Sequence, residues 1–319
     1  MPTLQQLRYL AAIADHLNFS RAAELCGVAQ PTLSMQLKEL ENRLGAKLVE
    51  RTRARVVLTP IGQQVARHAR AVVAQVEDIR EIALRDDPAA PQAALQLGVV
   101  QTIGAYALSI AMPELRRSFP NMRVRVREDR RDSLIRQLAD GAHDAILLPE
   151  EIARPEFICK RLLTEPLQVV LPADHPLAAK ECVDPADLGG ETVLTMERGH
   201  QMHDQIVHLC KEVGAIHARD YEGTTLDTLR QMVAIGMGIS LLPALYVRSE
   251  VLREQLVVAR PLTSCAPVRH VALIWRRHSP REQTYLGVAA ALSESLAPWD
   301  LDQGNALTKP KDHPAERDN

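Results

Sequence analysis

The clearest pattern in the chain is a stripe of leucines that repeats every three or four residues after a glycine-containing turn. Its members are Leu33, Leu37, Leu40 and Leu44. This spacing is typical of a helix that buries one face. Pro31 favours a helix start just before the stripe, because its missing N–H costs nothing in a first turn. Gly45 favours a helix end just after it.

A shorter helix is predicted immediately upstream of the stripe. Ser20 can cap its start, and Gly27 can end it in the left-handed conformation. Its apolar face consists of Ala22, Ala23 and Leu25. Two short helices joined by a tight turn make a helix-turn-helix.

The second helix leaves mostly polar side chains off its leucine stripe. They are Thr32, Ser34, Met35, Gln36 and Lys38. Hydroxyls, an amide and a cation are groups that hydrogen-bond base edges and phosphates. Met35 is the apolar exception, and it either touches a thymine methyl group or packs at the helix edge.

A small two-stranded wing is predicted next, with three arginines at or near its tip: Arg51, Arg53 and Arg55. Clustered guanidinium groups favour phosphate binding. Such a charge run can instead only solvate a loop, but its place beside a helix-turn-helix favours double-stranded DNA as the partner.

A long helix is predicted from Thr59 and Pro60 onward, with threonine as cap and proline in the first turn. Its apolar positions are Ile61, Val65, Ala69, Val72, Val76, Ile79 and Ala83. From Val65 they follow heptad spacing, which favours a dimer coiled coil over packing onto the same domain. The polar, then proline- and alanine-rich stretch 85–91 predicts a hinge. A dimer would present two recognition helices to a two-fold operator.

Strand and helix patterns alternate through the rest of the chain, which predicts an α/β domain with mainly parallel sheets. The predicted strands are 95–100, 122–127, 145–148, 168–171, 238–242 and 271–275. The predicted helices are 105–118, 132–140, 204–213, 225–235 and 281–296. A domain of this size allows two subdomains with a cleft between them. The polar residues after Trp299 predict a disordered tail.

Charge and composition fit a cytoplasmic DNA-binding protein. The net charge is −2, whereas residues 1–60 hold eight Lys/Arg and five Asp/Glu, or +3, which leaves −5 for the remainder. No apolar run is long enough to span a membrane, and the N-terminus lacks a signal-peptide core. The five cysteines are scattered and form no disulfide framework. No GxSxG or Walker motif and no full GxGxxG is present, which argues against an enzyme, and no cofactor is expected.

The N-terminal region resembles the DNA-binding domain of LysR-type transcriptional regulators. The matching residues are Ala22-Ala23, Gln30-Pro31-Thr32-Leu33-Ser34, Leu40-Glu41, Leu44-Gly45, Leu48, Glu50-Arg51 and Leu58-Thr59-Gly62. The resemblance implies groove contacts from Gln30, Pro31, Thr32, Ser34, Met35 and Gln36. It implies that Arg51, Arg53 and Arg55 track the DNA backbone or the minor groove. RNA polymerase is a further partner that the resemblance implies.

The resemblance also implies a periplasmic-binding-protein-like effector domain with chain crossovers near residues 165 and 265. The expected divisions are a winged helix-turn-helix domain (1–59), a linker and dimerisation helix (60–87), a hinge (88–92), an effector domain (93–298) and a tail (299–319). Within the effector domain, subdomain I is expected at 93–165 and 266–298, and subdomain II at 166–265. The protein is expected to act as a dimer or tetramer through the linker helix and the effector domain.

Within this family, the effector region is most similar to the peroxide-sensing, OxyR-like branch. The matching residues include Gly98, Thr102, Asp174-His175-Pro176, Glu181-Cys182, Gly199-His200, Cys210 and Leu241-Leu242-Pro243. In that branch a reactive cysteine follows Gly-His and a second cysteine lies nine positions later. Here Gln201 stands at the first position and Cys210 at the second, and a glutamine has no thiolate to react with peroxide. Arg131 replaces the branch's peroxide-binding threonine, whereas Thr102 is retained.

Two interpretations of the sensor follow. In the preferred one the cleft binds a small, anionic effector through Thr102, Arg131, His200, Gln201, Thr224 and Thr225. Arg131 would supply a cation, and the Thr224–Asp227 segment resembles a capping box at a helix start, where anions bind readily. Arg131 can equally form a surface salt bridge. In the other interpretation Cys210 senses peroxide with a distant cysteine such as Cys182 or Cys265.

A metal site is the remaining alternative for this region. Four histidines and a cysteine fall close together: His200, His203, His208, Cys210 and His217. Imidazole and thiolate bind zinc or copper, but these spacings do not place four ligands on one helical face. No metal is therefore expected.

Overall fold

The computed structural model describes residues 1–51, 56–83, 94–253, 255–279 and 281–301. The predicted hinge at 88–92 lies outside the described residues, as do Arg53, Arg55 and the tail from 302 onward. The buried side chains form three separate hydrophobic cores. One lies in the N-terminal head, and the other two lie in the two halves of the α/β region. No helix in the described part of the chain is long and apolar enough to cross a membrane.

The N-terminal head is the predicted winged helix-turn-helix. Its elements are α1 (Leu4–His16), α2 (Phe19–Leu25), α3 (Gln30–Leu44), β1 (Val49–Arg51), β2 (Val56–Leu58) and α4 (Pro60–Ala83). The wing strands pair antiparallel, with Val49 opposite Leu58. Gly27 and Gly45 end their helices with φ of +67° and +66°, which confirms both predicted stops.

The predicted cap of α2 is wrong by two residues. Asn18, not Ser20, accepts the Arg21 N–H with its side chain, at 3.0 Å. Ser20 lies inside the helix as its second residue. Both residue types are good caps, so the local pattern could not choose between them. Burial of Phe19 at the first helical position fixes where α2 begins.

Helix α4 packs on its own domain at one end and is exposed at the other. Thr59 caps it, since its Oγ1 accepts the Gly62 N–H at 2.9 Å. Ala66 and Ala69 are buried in the head core. Farther along, Val72 is exposed and Ile79 is 63% exposed. The predicted heptad seam is therefore only partly buried within one chain.

The α/β region joins nine strands into one continuous sheet, in the order β4-β3-β5-β11-β6-β9-β7-β8, with β10 paired to β6. The strands are β3 (Leu95–Val99), β4 (Val124–Glu128), β5 (Ala145–Leu148), β6 (Phe157–Pro172), β7 (Thr192–Met196), β8 (Ile216–Gly223), β9 (Ile239–Pro243), β10 (Val257–Arg260) and β11 (Val268–Arg276). The helices are α5 (Gln101–Ser118), α6 (Arg131–Ala139), α7 (Gln201–Val213), α8 (Leu226–Ala234), α9 (Ala244–Ser249) and α10 (Glu282–Leu296).

The prediction of mainly parallel sheets is only half right. Strands β4, β3 and β5 are parallel in one half, and β8, β7 and β9 are parallel in the other. The two central strands, β6 and β11, run antiparallel to each of their neighbours. They carry the chain between the halves, so β6 belongs to one core up to Leu163 and to the other from Leu167.

Two helices begin earlier than predicted, and both starts carry expected site residues. Helix α5 starts at Gln101 instead of 105, which places Thr102 in its first turn. Helix α7 starts at Gln201 instead of 204. No local sequence signal predicts the start of α5. The residue before it, Val100, makes no side-chain cap. The N-terminal ends of both helices thereby become candidates for ligand contact.

Candidate DNA-reading head and effector cleft

Helix α3 divides into a buried and an exposed face. Leu33, Leu37 and Leu40 are buried in the head core, as predicted. The exposed residues include Gln30, Pro31, Thr32 and Lys38, while Ser34 and Gln36 are half-buried. Met35 is 60% exposed, so it does not pack at the helix edge. An exposed apolar side chain among polar ones can contact a thymine methyl group.

Glu41 connects this helix to the wing, and the sequence did not reveal that role. Its buried carboxylate accepts the N–H groups of Leu48 and Val49 at 2.9 and 3.2 Å, and it pairs with Lys47 at 3.1 Å. Burial raises the pKa of Glu41, but these hydrogen bonds outweigh burial and leave the pKa below its ordinary value. The carboxylate therefore stays charged and holds β1 against α3.

The wing arginines are described only in part. Arg51 ends β1, while its side chain, Arg53 and Arg55 lie outside the described residues. The two strands of the wing, β1 and β2, pair antiparallel, with Arg51 opposite Val56.

A buried ion pair links the two crossover strands, β6 and β11, where Glu165 and Arg269 lie opposite each other. Arg269 Nε donates to Glu165 Oε1 at 2.5 Å, and neither side chain is exposed to solvent. The other oxygen of Glu165 accepts the Leu245 N–H at 2.9 Å. Arg269 also donates to the carbonyl of Thr102 at 3.0 Å, and its Nη1 lies 3.4 Å from the Thr102 hydroxyl. Thr102, expected at the effector site, is thus buried against a cation that the carboxylate neutralises.

His200 and Gln201 lie close to this ion pair from the other half. His200 caps α7, with its ring accepting the Met202 N–H at 3.3 Å. Burial, followed by the charge of Arg269, lowers the pKa of His200 to about 4, so the ring is neutral near pH 7. The Oε1 atoms of Gln201 and Gln205 are buried, and neither has a hydrogen-bond partner among the described residues.

Arg131 does not supply the expected free cation. It forms ion pairs with Glu150 and, at 2.8 Å, with Asp132, and its side chain is 43% exposed. The surface salt bridge is therefore the arrangement that the structure adopts. The neighbouring Arg130 reaches across to Glu197 of the other half at 3.6 Å.

The expected capping box at the start of α8 is also different from the prediction. Thr225 caps the helix by accepting the Thr228 N–H at 3.1 Å, and its hydroxyl lies 2.6 Å from that of Thr228. Thr224 is exposed, and Asp227 accepts a hydrogen bond from the Tyr246 hydroxyl at 2.9 Å. The carboxylate is used by a tyrosine because Tyr246 is fully buried and its hydroxyl needs a partner.

Cys210 is buried in α7, as its apolar context predicted. Burial raises the pKa of its thiol to about 11. Cys182 and Cys265 are exposed. A buried, protonated thiol is a poor nucleophile.

The histidines do not converge as metal ligands. His203 and His217 both lie 3.1 Å from the Thr195 hydroxyl, whereas His208 is exposed beside Glu212. Within the described ranges, no group of three histidine, cysteine or acidic residues could hold a metal ion.

Contacts between the head and the α/β region were not foreseen from the sequence. Arg67 of α4 pairs with Asp140, the residue that ends α6, at 2.6 Å. Arg70 of α4 packs beside Gly141 and pairs with Asp15 of α1 at 2.7 Å. Helix α6 therefore runs from the inter-half contact at Arg130 to the linker helix.

Comparisons with protein families cover both parts of the chain. Residues 4–63 match the bacterial regulatory helix-turn-helix proteins of the LysR family. Residues 88–297 match the LysR substrate-binding domain.

Relatives of this chain are regulators similar over nearly its full length. The DNA-binding transcriptional dual regulator OxyR of Escherichia coli K12 is 38% identical over 289 residues, which cover 91% of this chain and 94% of that protein. A probable hydrogen peroxide-inducible genes activator of Streptomyces viridosporus is 34% identical, covering 92% of this chain and 95% of that protein.

Solved structures show the same architecture. A full-length OxyR from Pseudomonas aeruginosa, with one cysteine replaced by aspartate, superimposes with a TM-score of 0.77 at 35% identity, covering 91% of this chain and 94% of that one. A peroxide-bound OxyR variant from Corynebacterium glutamicum gives a TM-score of 0.63 at 26% identity, covering 97% of this chain and 98% of that one. This chain belongs to the LysR family of DNA-binding transcriptional regulators, within its OxyR-like branch.

Proposed function

We propose that the exposed face of α3 reads an operator in the major groove while the wing arginines hold the DNA backbone. The base-reading set is Gln30, Pro31, Thr32, Ser34, Met35, Gln36 and Lys38. The backbone set is Arg51, Arg53 and Arg55. The observation that carries this proposal is the division of α3 over its first three turns, where Leu33, Leu37 and Leu40 are buried while the proposed base-reading residues are exposed or half-buried.

Alanine substitutions separate the two roles. Ser34→Ala and Gln36→Ala should weaken binding to a selected operator far more than binding to random duplex, because base contacts carry specificity. Arg53→Ala should weaken binding to both duplexes about equally. It should also reduce the slope of log affinity against log salt concentration by about one. Equal losses on both duplexes for Gln36→Ala would contradict the groove assignment.

We infer that the chain acts as a dimer or tetramer, with α4 contributing to the contact. Val72 and Ile79 are exposed on one chain and follow the heptad spacing that two helices bury together. Ile79→Glu should therefore shift the assembly toward monomer in sedimentation equilibrium, whereas Gln75→Glu on the same helix should not. A two-fold assembly presents two copies of α3 to two half-sites.

We infer further that the cleft binds a small polar effector at Thr102, His200, Gln201 and Thr225. The supporting observation is the pair of buried amide oxygens, Gln201 Oε1 and Gln205 Oε1, which a hydrogen-bond donor would satisfy. These groups offer a ligand less positive charge than the sequence predicted. Arg131 and Arg269 are both paired with carboxylates, and His200 is neutral near pH 7. A donor without net charge fits these groups best, and an anion remains the second class to test.

The test is a thermal-shift screen of small neutral donors and small anions on the full chain. A stabilising compound should lose its effect in Gln201→Leu, which removes the amide, and keep it in Arg131→Gln. A compound that stabilises wild type and Gln201→Leu equally would place the effector elsewhere. Loss of the effect in Arg131→Gln alone would restore the anion proposal.

Peroxide sensing through Cys210 is the second candidate, favoured by relatives named as peroxide-inducible activators. In this chain it would need a second cysteine, since Gln201 has no thiol. A hydrogen peroxide pulse, followed by mass spectrometry and operator footprinting, separates the candidates. A disulfide at Cys210 with a moved footprint supports peroxide sensing, and a reduced Cys210 with an unmoved footprint supports ligand sensing.

Helix α6 offers a path from the cleft to the DNA-binding head. It starts beside the Arg130–Glu197 contact between the halves and ends at Asp140, which pairs with Arg67 of the linker helix. A ligand that changes the relation of the halves would therefore move the linker, and RNA polymerase recruitment would follow from the altered DNA complex. Asp140→Asn should reduce the effector's change in operator affinity while leaving effector binding intact.

A further inference from the structure

Gln6 of α1 is a buried amide whose orientation is fixed by the backbone. It is 1% exposed, and its Oε1 accepts the Thr3 N–H at 3.1 Å. Its own backbone N–H donates to Thr3 Oγ1 at 3.2 Å, which completes a capping box. Because a backbone N–H can only donate, the side-chain atom that faces Thr3 must be the oxygen. The nitrogen of the Gln6 amide therefore points the other way.

That nitrogen reaches the recognition helix. Gln6 Nε2 donates to Gln36 Oε1 at 3.1 Å, between residues thirty positions apart. Gln36 must consequently turn its oxygen toward α1 and its nitrogen away from it. Among the described residues, nothing accepts a hydrogen bond from Gln36 Nε2, and the side chain is only half-buried.

We propose that Gln6 sets the polarity with which Gln36 meets DNA, so that Gln36 offers a hydrogen-bond donor and not an acceptor. This inference rests on the proposed position of Gln36 at the major groove. An unconstrained glutamine reads adenine with both amide atoms, accepting from N6 and donating to N7. Here the oxygen is engaged by α1. The outward donor instead selects bases that present acceptors, namely a purine N7, guanine O6 or thymine O4.

Reversing the polarity of the Gln6 side chain tests the proposal. In Gln6→Glu, the introduced carboxylate still accepts the Thr3 N–H but can only accept from Gln36. Gln36 then turns its nitrogen inward and presents its oxygen to the DNA. Operators selected from a randomised duplex pool should change at one base pair in each half-site, toward bases with an amino group, adenine or cytosine. We expect a shift of about fivefold in relative affinity, the low end for one base contact.

Gln36→Ala is the matched control. This variant should relax preference at the same base pair, and adding Gln6→Glu to it should change nothing further there. The introduced negative charge lowers affinity for all sequences alike and so does not affect the relative preference. If Gln36→Ala leaves base preference unchanged, both the groove assignment and the polarity inference are overturned. If it relaxes preference but Gln6→Glu does not redirect it, only the polarity inference fails.

Gln6→Met covers the case in which a buried carboxylate prevents folding. Methionine fills a similar volume but cannot donate, so Gln36 can rotate freely. Circular dichroism verifies that the head is folded. Discrimination at that base pair should then be lost. Operators with adenine or cytosine there and operators with guanine or thymine there should bind with affinities within about twofold of each other. Unchanged discrimination in folded Gln6→Met would show that Gln6 does not orient Gln36.

Discussion

The ion pair between Arg269 and Glu165 is the most consequential buried contact between the two crossover strands of the effector region. Neither side chain is exposed, and the two atoms that meet lie 2.5 Å apart. The remaining polar atoms are also used, by the Leu245 N–H and the Thr102 carbonyl. Removal of Arg269 therefore leaves a buried carboxylate with one backbone hydrogen bond and no cation beside it.

Replacing Arg269 with methionine leaves the Glu165 carboxylate buried without its cation. Breaking a buried ion pair in this way lowers the free energy of unfolding by about 3–5 kcal/mol. For a domain of this size, each kcal/mol lowers Tm by roughly 2–4 °C. We expect a loss of roughly 6–20 °C. Arg161→Met is the matched control on the neighbouring strand β6, because Arg161 pairs with Glu151 at the surface and is 45% exposed. That change should cost at most about 1 kcal/mol.

The assay is thermal unfolding of the full chain by circular dichroism, at one protein concentration. Adding Glu165→Gln to Arg269→Met should restore part of the lost stability, because an amide still accepts the Leu245 N–H without a charge. The reasoning is refuted if Arg269→Met costs no more than Arg161→Met. It is also refuted if Glu165→Gln makes the Arg269→Met protein less stable.

Three further predictions concern titration, thiol access and close packing. In the folded protein the pKa of His200 is about 4, below its unfolded value. Its contribution to stability is therefore present above about pH 6.5 and is lost as the pH falls toward 4. His200→Asn should flatten the pH dependence of Tm between these values. The buried thiol of Cys210, with a pKa of about 11, should react with iodoacetamide at pH 8 far more slowly than exposed Cys182, and equal labelling by mass spectrometry would contradict its burial. Gly62→Ala should destabilise the head and weaken DNA binding, because a Cβ there would overlap the carbonyl oxygen of Leu48 at the base of the wing. An unchanged Tm would show that α4 can move away from Leu48 without loss of stability.

The DNA-binding head could be predicted because its signals are local. The leucine spacing of α3, the proline in its first turn and the left-handed Gly45 all fall within one helix length. The error at α2 arose where two cap-forming residues, Asn18 and Ser20, stand two positions apart. Only the burial of Phe19, a tertiary fact, distinguishes them.

The cleft was less predictable because its contacts join distant parts of the sequence. Glu165 and Arg269 are 104 positions apart, and each lies in a mostly buried strand. A charged residue within a buried strand is itself a signal of a partner, but it does not identify that partner. Arg131 illustrates the opposite case. Its place at the position of the branch's peroxide-binding threonine suggested a ligand contact, whereas Glu150, nineteen residues later, pairs with it instead.

Gln201 has no thiol and cannot form a disulfide, which limits the kind of switch that α7 can support. A disulfide between positions 201 and 210 would be a covalent bond within one half, and it would persist whatever the concentration of the signal. A ligand held by the amides of Gln201 and Gln205 can shift the equilibrium only by its difference in affinity for the two arrangements. Moving the arrangements from 1:99 to 99:1 needs about 5.5 kcal/mol of such preference. A hydrogen bond to a buried acceptor contributes about 1.5–3 kcal/mol when it is charge-assisted and about 0.5–1.5 kcal/mol when it is neutral. The response through Gln201 should therefore be graded and reversible on dilution, with a partial rather than complete change of the operator footprint at saturation.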